Sequence, residues 1–96
     1  MDVLEYLNQK ATLEEYDGYD KEYRVDKYKQ PIQINVRIEG GTKIIRKADN
    51  SLYQSDKWYW IGKKIKAKSK INGQVIQATK EFYDFDGSFI YLEAYV

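Results

Sequence analysis

The chain has 96 residues, a net charge of +1, ten tyrosines and neither cysteine nor histidine. A chain of this length makes one domain and buries only about 60–65% of its unfolded surface, so its own core leaves it marginally stable. The missing residue types exclude disulfides, thiolate metal sites and imidazole bases, and no apolar run approaches the ~20 residues of a membrane helix.

Residues 2–8 (DVLEYLN) are expected to form a short helix with Val3, Leu4 and Leu7 on one side; it is too short to stand without packing. The opening lacks the basic and apolar stretches of a signal peptide, which places the protein by expectation in a reducing cytoplasm. Residues 11–16 (ATLEEY) read as a first strand, and the polar, turn-rich residues 17–27 as a loop or a loosely paired hairpin tip. The clearest strand follows. Ile32, Ile34, Val36 and Ile38 alternate with Gln33, Asn35, Arg37 and Glu39, so one face is branched and apolar. Pro31, without an N–H, suits the strand start, and Gly40-Gly41 is read as its end.

Residues 42–57 alternate poorly, although Lys43-Ile44-Ile45-Arg46 could be a short strand. They read as a long excursion with a turn at Asp49-Asn50-Ser51, returning through Trp58-Tyr59-Trp60-Ile61. In residues 62–71, Ile65, Ala67, Ser69 and Ile71 are expected on one face of a strand and Lys64, Lys66, Lys68 and Lys70 on the other. Asn72-Gly73 then predicts a two-residue hairpin, because both residues tolerate the positive φ of a type I′ turn. The return strand is expected to turn Ile76, Ala78 and Phe82 inward. In the last strand Ile90, Leu92, Ala94 and Val96 share one face, and Phe89, Tyr91, Glu93 and Tyr95 the other. The fold expected is mainly β: a small, partly open antiparallel β-barrel of SH3-like scale, with a short N-terminal helix and a long inter-strand loop.

Charge runs acidic, basic, acidic along the chain. Residues 1–30 hold eight acids against five bases, residues 37–70 ten bases against three acids, and residues 71–96 four acids against one base. Such asymmetry suits head-to-tail contact between copies, or a basic face toward nucleic acid. The tyrosines add interface character, since each offers apolar area and a polar tip.

Asp84-Phe85-Asp86-Gly87 resembles the start of a calcium loop, but the twelfth position from Asp84 is Tyr95 rather than the bidentate Glu that such a loop needs. A hairpin turn accounts for every residue instead. Paired carboxylates at Glu14/Glu15 or Asp84/Asp86 have no nucleophile or base beside them in the sequence, and no Gly-rich phosphate loop is present. The expectation is no enzyme, no metal and no cofactor. Lys57-Trp58-Tyr59-Trp60 with Lys63 and Lys64 has two readings. The rings could stack single-stranded bases while ammonium groups meet phosphates; or Trp58 and Trp60, on one strand face, pack in the core or against a subunit. The Lys64/Lys66/Lys68/Lys70 stripe reads as a solvated sheet face that discourages edge pairing, or as a basic surface toward DNA or an acidic neighbour.

The order of signals resembles the small head–tail connector proteins of tailed bacteriophages: PIQINVRIEGG, a basic excursion, IGKKIKAKSKINGQVIQATKEF, then DFDGSFIYLEAYV. These are the head-closure or stopper proteins, often labelled minor capsid proteins. The resemblance rests on the Gly62-anchored strand pair with its Asn-Gly hairpin and on the terminal Asp-Gly turn followed by a strand ending Leu92-Glu93-Ala94-Tyr95-Val96. It departs at Lys63, where the family more often carries an acidic residue. The resemblance implies a virion protein of the neck, present in the host cytoplasm during assembly, that forms a homo-oligomeric ring, commonly twelve-fold. The ring would bind portal or adaptor and tail proteins, touch packaged DNA non-specifically and need no membrane. It places a channel-closing loop within Gly41–Lys57, with Lys43, Arg46, Lys47, Asp49, Asn50, Ser51 and Tyr53 as candidates. Tyr59, Phe89, Tyr91, Glu93 and Tyr95 are candidates for the subunit or neck interface. The alternatives are a single-stranded nucleic-acid-binding barrel using Trp58, Tyr59 and Trp60, and a phage-encoded inhibitor of a host protein that contacts it through the acidic N-terminal third.

Overall fold

The alternation at Ile32–Ile38 forms a strand, but one far longer than the alternation itself. In the computed structural model, which describes residues 3–47 and 49–96 with side chains from residue 5 onward, this strand, β4, runs Ile32–Arg46. Before it come β1 (Gln9–Glu14), β2 (Tyr16–Asp20) and β3 (Val25–Tyr28); after it come β5 (Leu52–Ile61), β6 (Lys70–Ile71), β7 (Gln74–Val75), β8 (Ala78–Tyr83) and β9 (Phe89–Tyr95). All described ladders are antiparallel. Seven strands form one sheet in the order β7-β6-β1-β4-β5-β9-β8, and β2-β3 stand apart as a two-stranded hairpin.

The edges of the large sheet are joined by the chain itself. β7 and β8 lie at opposite ends of the strand order, yet only Ile76 and Gln77 separate them. Ile76 N–H donates to Ser69 O at 2.8 Å beside β6, while Gln77 N–H donates to Tyr95 O at 2.8 Å on β9. The sheet must therefore curl until its two ends meet at Ile76, which is 1% exposed. Inside the curl lie Ala11, Leu13, Val36, Tyr59, Ile61, Ile65, Ile71, Leu92 and Ala94. Each fully buried aliphatic side chain is worth about 1.5–3 kcal/mol.

The expected turns form. Asn72 (φ 48°) and Gly73 (φ 80°) both take positive φ, as a type I′ turn requires. Asn72 also pins this hairpin to β1: its N–H donates to Thr12 O at 2.9 Å and its Oδ1 accepts from Thr12 N–H at 2.9 Å. Two other turns share one design. Asp84 N–H donates to Ser88 O (2.8 Å), Gly87 N–H to Asp84 O (3.0 Å), and Asp86 Oδ1 accepts from Ser88. Likewise Lys47 N–H donates to Ser51 O (2.8 Å), Asn50 N–H to Lys47 O (2.9 Å), and Asp49 Oδ1 accepts from Ser51. Asn50 (φ 69°) occupies the positive-φ place that Gly87 (φ 86°) fills in the other. These serine hydroxyls hold the carboxyls of Asp49 and Asp86 below their ordinary values.

Several expectations are corrected. The N-terminal helix is replaced by a single 3-10 turn at Val3–Tyr6, because seven residues cannot offset helix nucleation; Leu7 is buried, and Asp2 and the Val3 and Leu4 side chains lie outside the described set. The partly open barrel is seen only as a curled antiparallel sheet: among the described residues no ladder joins β7 to β8, and no closed barrel forms. Gly40-Gly41 does not end β4: it makes a bulge in the β4–β5 ladder between Gly40 and Lys43. The stretch 41–57, expected as a long loop with at most a short strand at 43–46, is a β-hairpin arm: residues 43–46 are strand, as the end of β4, and β5 begins already at Leu52. On β8, Ala78 pairs with Tyr95 and Phe82 with Tyr91, so both lie on the face opposite Leu92 and Ala94 rather than inward. On β9 a second irregularity skips Ile90, pairing Tyr83 with Phe89 and Phe82 with Tyr91. It reverses the alternation locally, and Phe89, not Ile90, packs against the core.

Candidate interaction face

The bulge at Gly40-Gly41 decides the shape of this side of the molecule. Gly41 takes φ +151°, and a Cβ built there would lie 3.2 Å from Trp58 Cη2. Trp58 pairs with Tyr95 on β9. The arm thus bends tightly over the outer face of the sheet, with a tryptophan ring against the bend. Cross-strand pairing sorts the arm's side chains into two sets. Lys43 pairs with Ser55 and Ile45 with Tyr53, facing inward; Ile44 pairs with Gln54 and Arg46 with Leu52, facing outward.

The inward set closes a small polar-aromatic box. Lys43 Nζ lies 3.0 and 3.2 Å from the two oxygens of Glu93, 4.3 Å from the Trp58 ring centroid and 5.5 Å from that of Tyr95. Tyr95 Oη donates to Glu93 Oε1 at 3.1 Å. Glu93 is 5% exposed and Tyr95 3%. A buried carboxylate survives only when paired and hydrogen-bonded; here one ammonium and one phenol serve it. Burial first, then the charge of Glu93, pushes the Tyr95 hydroxyl far above its ordinary range. Ser55, fully buried, has its one hydroxyl hydrogen within reach of both Lys57 O (2.9 Å) and Val96 O (3.1 Å), tying the arm's root to the end of β9.

Beyond the box runs a ladder of stacked groups. The Arg37 guanidinium sits 5.6 Å from the Tyr6 ring and 5.4 Å from the Trp60 ring. Trp60 meets Tyr91 at 4.9 Å, and Tyr91 stacks on Phe82 at 4.5 Å with an interplanar angle of 3°. Such pairs contribute about 0.5–1.5 kcal/mol each beyond area burial, and burial raises the Tyr91 hydroxyl above its usual value. The edge strand β8 bounds this ladder, pairing only with β9 among the described residues.

The expected interface residues therefore separate. Tyr91, Glu93 and Tyr95 share the outer face as expected, but Glu93 and Tyr95 are already covered by the arm. Phe89 goes to the core side, and Tyr59 is 0% exposed within the core, with no described partner for its hydroxyl. Tyr59 cannot meet another subunit directly. The rings proposed to stack bases are equally engaged: Trp58 and Tyr59 are buried, and Trp60 is held between Arg37 and Tyr91.

The lysine stripe is also broken. No strand is assigned over residues 62–69; Lys68 takes φ 77°, its N–H donating to Ile76 O. The four ammonium groups do not make one row. Lys64 lies over the Tyr83 and Phe89 rings, Lys68 over Tyr16 and Lys70 over Tyr28, and Lys66 is exposed. Hydrogen bonding to Tyr83 raises the Lys64 pKa.

The channel-loop candidates fall on the arm: Lys43, Tyr53 and Lys47 on its partly buried inner side, Arg46 on its outer side, and Asp49, Asn50 and Ser51 at its exposed turn. Two residues that the sequence reading passed over are also here. Ile44 and Leu52 stand outward, 63% and 60% exposed. The signal that could have found them is the faint alternation Leu52, Gln54, Asp56 against Tyr53, Ser55, Lys57. Among the described residues no group of three acidic side chains is placed to hold a metal ion, and no helix is long and apolar enough to cross a membrane. What the face offers is apolar, aromatic and cationic surface on a projecting hairpin, which suits contact with another macromolecule. Comparison with known proteins gives no match, whether to a family model, to a curated protein or to a solved structure.

Proposed function

We propose that this protein is a subunit of a bacteriophage head–tail connector, a head-closure ring component that retains DNA in the filled head and presents a platform to the tail. The observation that carries the reading is the β4–β5 arm: a hairpin extending past a small curled sheet, bent at a glycine bulge, with Arg46 and Lys47 beside its turn. The longest dimension is 47 Å against 27 Å for the shortest, and the radius of gyration of 14.0 Å exceeds the ~12.5 Å of a compact chain of this length. Both figures fit a domain with projecting hairpins.

In a ring the arm would point toward the channel. Cations near its turn would attract DNA phosphates without reading sequence, and a hairpin, unlike a slack loop, would move as one body about its glycine bend. A small domain with free strand edges gains stability by covering them with neighbours. Deleting the gene from the phage that carries it tests the reading. DNA-filled heads that leak or fail to join tails are expected; normal, fully joined virions would refute it. Removing Asp49–Ser51 alone should leave a folded subunit whose heads lose DNA.

A further inference from the structure

The two hairpins leave the curled sheet at opposite ends of β4. Leu13 pairs with Ile32 at the strand's start, and β2 begins three residues after Leu13; the arm turns just after Arg46 at its finish. Fifteen extended residues span at most about 46 Å at ~3.3 Å each. Among the described residues no ladder joins the arm to β2 or β3, so the arm is open to a β2–β3 hairpin of another copy.

Both hairpins carry what an isolated one should not. Ile44 and Leu52 are 63% and 60% exposed on the arm, and Tyr19, Tyr23 and Val25 are 54%, 72% and 52% exposed on the β2–β3 hairpin. Both also have free ladder edges. Among the described residues, β4 from Gly41 to Arg46 pairs only with β5, and β2 only with β3. A lone two-stranded hairpin is marginally stable at best. Between the arm and β8, itself paired only with β9, runs a groove of about 510 Å³, lined by Lys43, Ile44, Arg46, Ala78, Lys80 and Tyr95 among others. Its charged lining residues are Lys43, which Glu93 already neutralises, and Arg46 and Lys80, which pair with no carboxylate among the described residues. β2 reads Tyr-Asp-Gly-Tyr-Asp, two acids and no base. The groove's walls thus offer main-chain hydrogen bonds, apolar side chains and positive charge, and β2 offers the complement of each.

We infer that β2 of one copy docks as an added strand in the groove between the β4–β5 arm and β8 of a second copy, head to tail. Strand addition supplies main-chain bonds, and the side chains fix the register. Because the two surfaces differ and lie at opposite ends, the contact repeats from copy to copy and closes into a ring, or grows as a filament if the rotation does not close. The inference deepens the ring reading by naming which surfaces meet. It is tested on the purified chain, so a self-associating protein that proves to have no place in a phage neck would remove that reading and leave this one standing.

The experiment is a charge exchange followed by sedimentation equilibrium. Asp17 is exposed and makes no side-chain hydrogen bond or ion pair among the described residues, and Arg46 is exposed with a single bond to Asn50 O. Wild-type protein should associate with rising concentration. Asp17→Lys and Arg46→Glu should each, alone, weaken association at least about tenfold, because like charges then face each other at every contact. An equimolar mixture of the two variants should recover it, since in alternating order every contact again joins opposite charges. A wild-type monomer at sub-millimolar concentration, single variants that associate like wild type, or a mixture that stays monomeric would each overturn the inference. Ile44→Ser, which carries no charge change and alters a side chain 63% exposed, should weaken association independently, with an unchanged melting temperature at dilutions where the wild type is monomeric.

Discussion

Replacing Lys43 by Met removes the one ammonium that, among the described residues, forms an ion pair with a carboxylate that is 5% exposed. Glu93 then keeps a single described donor, the Tyr95 hydroxyl at 3.1 Å. Breaking a fully buried ion pair costs about 3–5 kcal/mol. The Lys43 side chain is 36% exposed, so water screens part of the interaction; a loss of about 2–3 kcal/mol is expected, in line with one charged hydrogen bond. Met fills most of the aliphatic volume under the arm, so cavity formation adds little. With a urea m-value of about 1–1.5 kcal/mol/M for a chain of this size, the midpoint should fall by about 2 M. Adding Glu93→Gln to Lys43→Met removes the stranded charge and should recover about half of the loss, giving a coupling energy of at least about 1 kcal/mol. Trp58, 4.3 Å from the ammonium, provides the fluorescence signal. A Lys43→Met loss under about 0.5 kcal/mol, or single losses that simply add in the double variant, would show that the arm is not held down by this pair.

Gly41→Ala should cost about 1–3 kcal/mol through its left-handed backbone and the approach to Trp58, measured by urea unfolding, whereas Gly40→Ala, whose nearest new neighbour is 3.9 Å away, should cost clearly less. Tyr59→Phe removes a buried hydroxyl without a described partner and should stabilise by about 1 kcal/mol, raising the melting temperature by about 4–8 °C. The turn carboxyls of Asp49 and Asp86 are depressed in the folded state. Their contribution is therefore present above the unfolded carboxylate range near pH ~4 and lost as pH falls through the lower folded values. Melting temperature followed from pH 6 down to about 2 should fall less steeply in Asp86→Asn than in wild type, and an unchanged slope would show that the serine bonds do not set the titration.

Local chemistry fixed the turns and the plainest strand in advance. Asn72-Gly73 has few conformations other than the one it takes, and Asp84–Gly87 excludes a calcium loop by the tyrosine that stands at the twelfth position counted from Asp84. The alternation at Ile32–Ile38 places Val36 in the core whatever surrounds it. Leu92 and Ala94 were legible for the same reason. The arm was not. There the usual pattern is inverted: Lys43 and Ser55 turn inward to partners on β9, while Ile44 and Leu52 face water. No window of residues 42–57 contains Glu93 or the Val96 carbonyl, so nothing local marks those polar groups as satisfied inside. The bulges acted likewise. One skipped residue at Ile90 exchanged Phe89 for Ile90 on the core face, and one at Gly40-Gly41 turned an expected strand end into a bend. The lysine stripe required residues 64–70 to stay extended, and the Ile76 carbonyl, drawing Lys68 into a positive φ, prevented it. Sequence thus determined which residues turn and which strand face is apolar, since these depend on neighbours a few residues away. Which buried polar groups find partners depends on strands forty or more residues apart, and where a ladder slips by one depends on how its two strands pack against the rest of the sheet; both were decided only when the sheet curled.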